Sequence, residues 1–212
     1  MKLLFKELVL AAHPTLFIFA LLGALVIVPA YPYTVVFLFG CLAPYITCTY
    51  GRETNDIWYT AILPVTKRDI VSGRLLLTVC AQLCQLTVAL VTALLRSVLG
   101  IPNNPVGIDP TVAWFGFGLM IYGLFDLVFF TSFYKTGVKT GKAFVLAAIP
   151  MAVLMIVAEG SVHLDTLAYL DSNAAQDLLR QLPVLLFGVA CFALCLLLAR
   201  RIAQRRFEQV DL

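Results

Sequence analysis

Six long apolar runs separated by short polar stretches leave this 212-residue chain few ways to fold. A bilayer's hydrocarbon core is about 30 Å thick, and a helix needs roughly 20 apolar residues to cross it. The runs place spans near residues 12–30, 33–50, 73–97, 111–134, 143–158 and 183–200. The last two are short, so tilt, local thinning or apolar residues outside these limits must make up the difference. Hydrophobic residues make up 61% of the chain and charged residues 13%. An average soluble domain is about 25% charged, so an ordinary water-soluble fold is excluded. Because the apolar residues come in runs rather than stripes, the helices they form are surrounded by lipid or by one another. The expected fold is all-α: a single polytopic membrane domain over residues 1–212 with six transmembrane helices.

Lys and Arg accumulate on the cytoplasmic side of membrane spans, which tests both count and orientation. With the amino terminus inside, Lys2, Lys6, Arg52, Lys67, Arg68, Arg74, Lys135, Lys139, Lys142, Arg200, Arg201, Arg205 and Arg206 are all cytoplasmic. Only Arg96 and Arg180 fall outside, beside Asp109, Glu159, Asp165, Asp171 and Asp177. Five or seven spans would spoil this asymmetry, so both termini are expected in the cytoplasm. The net charge of +3 follows from topology, and no basic, solvent-facing domain exists for nucleic acid. The amino-terminal apolar region lacks a convincing small-residue cleavage site, Val28-Pro29 being a poor one, and reads as a mature span.

Between the second and third runs lies a polar island, Gly51 to Arg74. Thr54 is placed to cap a short helix with Ile57, Trp58, Ala61 and Ile62 on one face, and Pro64 to help end it. Thr66-Lys67-Arg68-Asp69 has the form of a capping box, with Asp in place of Glu, opening onto the run from Ile70. Two helical elements therefore meet at a sharp bend within residues 51–74. On the outer side, residues 159–182 mix leucines with acids and fit either short interfacial helices that form a lid or a solvated connector.

Catalytic chemistry finds no footing. His13 and His163 lie at opposite ends, and no nucleophile elbow or zinc-binding histidine pair occurs. Gly137-Val138-Lys139-Thr140-Gly141-Lys142-Ala143 is one residue too short for a phosphate loop and lacks the hydroxyl residue after its lysine. Cys41, Cys48, Cys80, Cys84, Cys191 and Cys195 all fall within spans; without histidine beside them they read as packing residues rather than metal ligands. Asp126 is the one acid deep in a span, where a carboxylate costs about 2.5–3.5 kcal/mol on insertion scales. At about 1.5 Å per residue it lies roughly 13 Å inward from Lys135, and Gln82 about 12 Å inward from Arg74. Asp126, Gln82 and Gln85, a turn further out, are expected to form a polar contact between spans three and four, either along a conduit or as interhelical glue.

The island carries a resemblance. Glu53 before the short helix, then Leu63-Pro64-Val65-Thr66-Lys67-Arg68-Asp69-Ile70 and Gly73-Arg74, make the chain resemble the small six-span permeases of the type-2 ABC exporter family. The resemblance implies that residues 51–74 form a coupling segment resting on a separate ABC ATPase subunit. Glu53, Asn55, Asp56, Trp58 and Tyr59 would be its docking surface, Leu63 and Pro64 would belong to the same coupling signature, and Lys67, Arg68 and Asp69 would be its bend. Trp58 and Tyr59 have a second reading as headgroup anchors. The family likeness further implies a paired permease, homo- or heterodimeric, with a conduit between the copies, in a bacterial cell membrane. No cofactor would bind this chain, since ATP and magnesium belong to the partner ATPase. The function so implied is a non-enzymatic permease subunit of an ATP-driven exporter for a hydrophobic or amphipathic cargo, such as a toxic or antimicrobial peptide. The alternative is a membrane scaffold or sensor that recruits a regulatory protein.

Overall fold

In a computed structural model, residues 7–8, 12–62 and 65–210 are described. Most of the amino-terminal stretch with Lys2 and Lys6, together with Leu63 and Pro64 of the island, lies outside these residues, as do the side chains of Ile57 and Ala61. The described residues are helical, with no strand: α1 (Pro14–Leu21), continued by a 3-10 segment (Leu22–Ile27), α2 (Val35–Glu53), α3 (Asp56–Ile62), α4 (Lys67–Val98), α5 (Val112–Phe133), α6 (Thr140–Ser161), a second 3-10 segment (Asp165–Asp171) and α7 (Ala175–Glu208). Five helices, α2 and α4 to α7, are long and apolar enough to cross a membrane, and the shorter apolar stretch Pro14–Ile27 precedes them. The end that holds Glu7 and Val210 is called here the terminal end, and the opposite one the far end.

Span one differs from its expected form. His13 caps α1, its Nδ1 accepting from the Thr15 amide at 3.3 Å, and Pro14 supplies the preset φ of a first helical residue. The helix then tightens to 3-10 from Leu22. Eight α-helical and six 3-10 residues reach about 24 Å, short of the hydrocarbon core. The cause is packing against α4: a Cβ on Gly23 would sit 2.3 Å from the Gln85 carbonyl oxygen, so this backbone lies directly on its neighbour's.

Helices α4, α6 and α7 outrun the limits expected for their spans. α4 starts at its capping box rather than at residue 73, and its 32 residues reach about 48 Å. α6 has 22 residues, enough to cross without special tilt. α7 begins at Ala175, leaving Pro183, expected at a boundary, inside the helix. Pro183 gives up one backbone donor, yet the turn before it is pinned. The Gln181 amide donates to Tyr169 O at 2.7 Å and Ser172 O at 2.9 Å, and its oxygen accepts from the Ala113 amide at 3.1 Å.

Helix α5 is the core, packing most extensively on α7 and α6. A Cβ on Gly188 would meet the Gly116 carbonyl oxygen at 2.4 Å, so α5 and α7 touch backbone to backbone. Around that seam Phe37, Trp114, Tyr122, Phe125, Phe129 and Phe133 are buried. The outward faces of α4, α6 and α7 carry exposed Val98, Ile156 and Leu186, as lipid-facing helices do. All six cysteines are free thiols, Cys80 and Cys84 on an exposed face and Cys41, Cys48 and Cys195 buried.

Candidate functional site

At the terminal end α3 is held by a buried cation. Thr54 does not cap it, contrary to the sequence expectation. Its hydroxyl donates back to the Tyr50 carbonyl at 3.0 Å as part of the α2 terminus. Asn55, in the left-handed region at φ 53°, turns the chain instead. Its carbonyl accepts the Tyr59 amide at 2.9 Å and so opens α3.

Asp56, expected on the docking surface, points inward. It is 7% exposed and pairs with the Arg74 guanidinium, while its Oδ1 accepts from the Thr60 hydroxyl at 3.3 Å. Arg74 is itself buried; its Nε lies 2.9 Å from Glu7 Oε2 and a terminal nitrogen donates to Thr47 O at 3.2 Å. One guanidinium thus joins the amino-terminal segment, α2, α3 and α4. A Cβ on Gly51 would stand 3.2 Å from this group, so a bulkier residue there would crowd it. On the other side of α3, Trp58, Tyr59 and Ile62 are 60%, 57% and 66% exposed. The helix therefore keeps its carboxylate inside and turns large apolar side chains outward. Glu53 and Asn55 are also exposed, Glu53 lying 3.9 Å from Arg52.

The bend is built as a reciprocal cap: the Asp69 amide donates to Thr66 Oγ1, and the Thr66 amide to Asp69 Oδ2, each at 3.2 Å. Lys67 and Arg68 turn toward the end of α7, Lys67 Nζ donating to Val210 O and Arg68 Nε to Glu208 Oε1, both at 2.6 Å.

Midway along the bundle, Gln82 Nε2 donates to Asp126 Oδ1 at 3.1 Å, with both side chains buried. Gln85 does not join them. Its amide donates to Val36 O at 3.0 Å, and its oxygen accepts from the Tyr122 hydroxyl, linking α4 to α2 and α5. Asp126 Oδ2 and Gln82 Oε1 have no hydrogen-bond partner among the described residues.

Sequence reasoning overlooked the far end. The Asp109 carboxylate meets Arg96 at 2.9 Å and accepts the Asn104 amide at 3.0 Å. Glu159 accepts the Thr34 hydroxyl at 2.6 Å and the Ile108 amide at 3.1 Å. Asp171 accepts the Asp109 amide at 2.6 Å, and its carboxyl is pushed above the ordinary Asp value by partial burial. Asp109, Glu159 and Asp171 are therefore fasteners that satisfy backbone donors of the 99–111 loop. Beside them a cavity of about 390 Å³ opens between α4, α5 and the start of α7, lined by Leu90, Leu94, Arg96, Asn103, Phe115 and Leu178 among others.

The family model described as ABC-2 family transporter protein matches residues 2–204. The chain belongs to this family, a class of membrane transport component that partners with an ABC ATPase subunit. No curated protein and no solved structure matches it.

Proposed function

We propose that the chain is the permease subunit of an ATP-driven exporter, with α3 as the coupling helix on which the ATPase docks. Pro14–Ile27 then serves as the first of six spans, both termini are cytoplasmic, and a second permease subunit completes the conduit in a bacterial cell membrane. The observation that carries this reading is the split character of α3: Trp58, Tyr59 and Ile62 stand exposed while Asp56 is locked to Arg74. A merely solvated loop has no use for three large apolar side chains on its surface, whereas a docking face does. With Asp56 turned inward, the surface consists of Trp58, Tyr59 and Ile62 with Glu53 and Asn55 at its edge. Force on it passes through the Arg74 guanidinium, which contacts α2 and α3 from α4. ATP and magnesium are bound by the partner.

The cargo fits the hydrophobic or amphipathic class. The far-end cavity sets Leu90, Leu94 and Phe115 against Arg96 and Asn103, apolar walls beside hydrogen-bonding groups. Co-purification tests the proposal. An ABC ATPase should be recovered with the wild-type chain and lost with Trp58→Ala/Tyr59→Ala at unchanged membrane expression. A stable complex that contains a regulatory protein and no ATPase would instead establish a scaffold.

A further inference from the structure

At the terminal end a cavity of about 220 Å³ lies between the first turns of α4 and the last turns of α7, lined by Arg68, Arg201, Gln204 and Arg205. We infer that this cavity is a binding site for the phosphodiester headgroup of an anionic phospholipid. The inference rests on the membrane placement of α4 and α7 and not on the transport reading.

The walls are built. Gln204 Nε2 donates to Ser72 Oγ at 2.9 Å and to Arg68 O at 3.2 Å, which fixes α7 against α4 across the cavity floor. Arg68 is oriented by Glu208, whose carboxylate takes up its charge. Two nearby basic groups are spent elsewhere, Lys67 on Val210 O and Arg206 on Thr131 O. Arg201 and Arg205 differ: they make no ion pair among the described residues, and both face the cavity. Asp69, the other nearby acid among the described residues, is occupied by its cap with Thr66. The site therefore holds net positive charge in a concave frame, with guanidinium forks that match phosphate oxygens.

Depth identifies the ligand. Leu198 on α7 and Leu76 on α4 are exposed apolar residues near this end of their helices. Arg201 lies three positions beyond Leu198, about 4.5 Å along the axis, and Arg205 about 10 Å beyond it; Arg68 lies about 12 Å beyond Leu76. The headgroup layer on each side of a bilayer is roughly 5–7 Å deep. Arg201 thus stands at phosphate level, and Arg68 and Arg205 are within reach of it by extending their long side chains. Spacings of three and four place Leu194, Leu197, Leu198, Arg201 and Arg205 along one side of α7, and Arg68, Ser72 and Leu76 along one side of α4. A lipid whose phosphate enters the cavity can therefore lay its acyl chains on leucines directly above. A zwitterionic headgroup would bring an ammonium group against the arginines, which disfavours it. An acidic protein segment would have no use for the leucine track.

The purified full-length chain in neutral detergent should be titrated with dioleoyl phosphatidylglycerol and with dioleoyl phosphatidylcholine, and bound lipid counted by native mass spectrometry. Phosphatidylglycerol is expected to be retained in preference to phosphatidylcholine. Arg201→Gln/Arg205→Gln should weaken its retention roughly 25-fold, each cation near an anionic headgroup contributing about fivefold. An unchanged unfolding midpoint in neutral detergent with phosphatidylcholine shows that the variant is folded. Lys139→Gln/Lys142→Gln, which removes the same charge elsewhere at this end, should leave retention unaltered. Equal retention of both lipids, equal loss in the lysine variant, or displacement by millimolar glycerol phosphate would overturn the assignment.

Discussion

The two ends of the bundle use charge in opposite ways. At the terminal end one buried cation, Arg74, gathers Asp56, Glu7 and the Thr47 carbonyl, and so joins separate helices through a single side chain. At the far end the roles are reversed and distributed: Asp109, Glu159 and Asp171 each receive a backbone amide from a neighbouring loop, and Arg96 closes the set. A hub of one residue ties several elements together and fails as a unit. A distributed set holds loops in place and fails piecemeal. The end with the exposed aromatic helix has the hub, and the end with the cavity has the distributed set.

Removing the hub is the strongest way to break this contrast. Arg74→Met strips the cation from two buried carboxylates, and breaking a buried pair in this way costs about 3–5 kcal/mol. A large drop in the thermal unfolding midpoint in detergent is expected, with loss of the co-purifying ATPase. Arg74→Lys keeps the charge without the fork and should recover only part of both. A midpoint unmoved by Arg74→Met would show that the cluster joins nothing. Asp109→Asn, at the far end, keeps an acceptor for the Asn104 amide and loses the charge opposite Arg96. About 2 kcal/mol is expected, the scale of a hydrogen bond to a charged group, with ATPase co-purification preserved. Equal loss of the partner in both variants would erase the distinction between the ends.

How much of this was legible in the sequence depends on whether a feature is local. The apolar runs and the Thr66–Asp69 capping box were legible because they are patterns of composition and short spacing, and both are present in the structure. Thr54 misled because a threonine at a helix boundary can cap the next helix or bond back to the previous one, and Tyr50 O took it. Asp56 was assigned to the docking surface by the family likeness, yet Arg74, eighteen residues on, draws it inside. The 3-10 half of the first span is a tertiary effect of Gly23 lying on α4. Glu159 and Asp171 were legible only as part of a lid or a connector, since the amides they accept, of Ile108 and Asp109, come from a distant loop. Gln82 and Asp126 do meet, as their matched depths suggest, whereas Gln85, a turn away, is claimed by Tyr122. Whether that pair has an ionised role is open to a direct probe. Unchanged transport by Asp126→Asn at unchanged expression would leave it a packing contact.

Two smaller perturbations sharpen the comparison without dismantling it. Thr66→Ala removes the hydroxyl that accepts the Asp69 amide, and loss of such a cap costs about 1 kcal/mol. Because the cap sits at the bend, faster amide exchange should be confined to the first turn of α4, and spread to the far end would contradict the separation. Acidification acts on the other end. Burial outweighs the Asp109 amide bond and raises Asp171 above 3.8, with Asp109 and Glu159 adding in the same direction and Arg96 opposing. A carboxyl whose folded value is raised holds its proton more tightly folded than unfolded, so stability falls as pH rises from 3.8 toward the raised value and is regained as pH is lowered through that window. Amide protection in the Asp165–Asp171 segment, corrected for intrinsic exchange rates, should therefore increase slightly on acidification through that window, and Asp171→Asn should abolish the increase. If protection there declines on acidification, the Asp171 carboxylate is needed in its ionised form, and the far end is held by charge as the terminal end is.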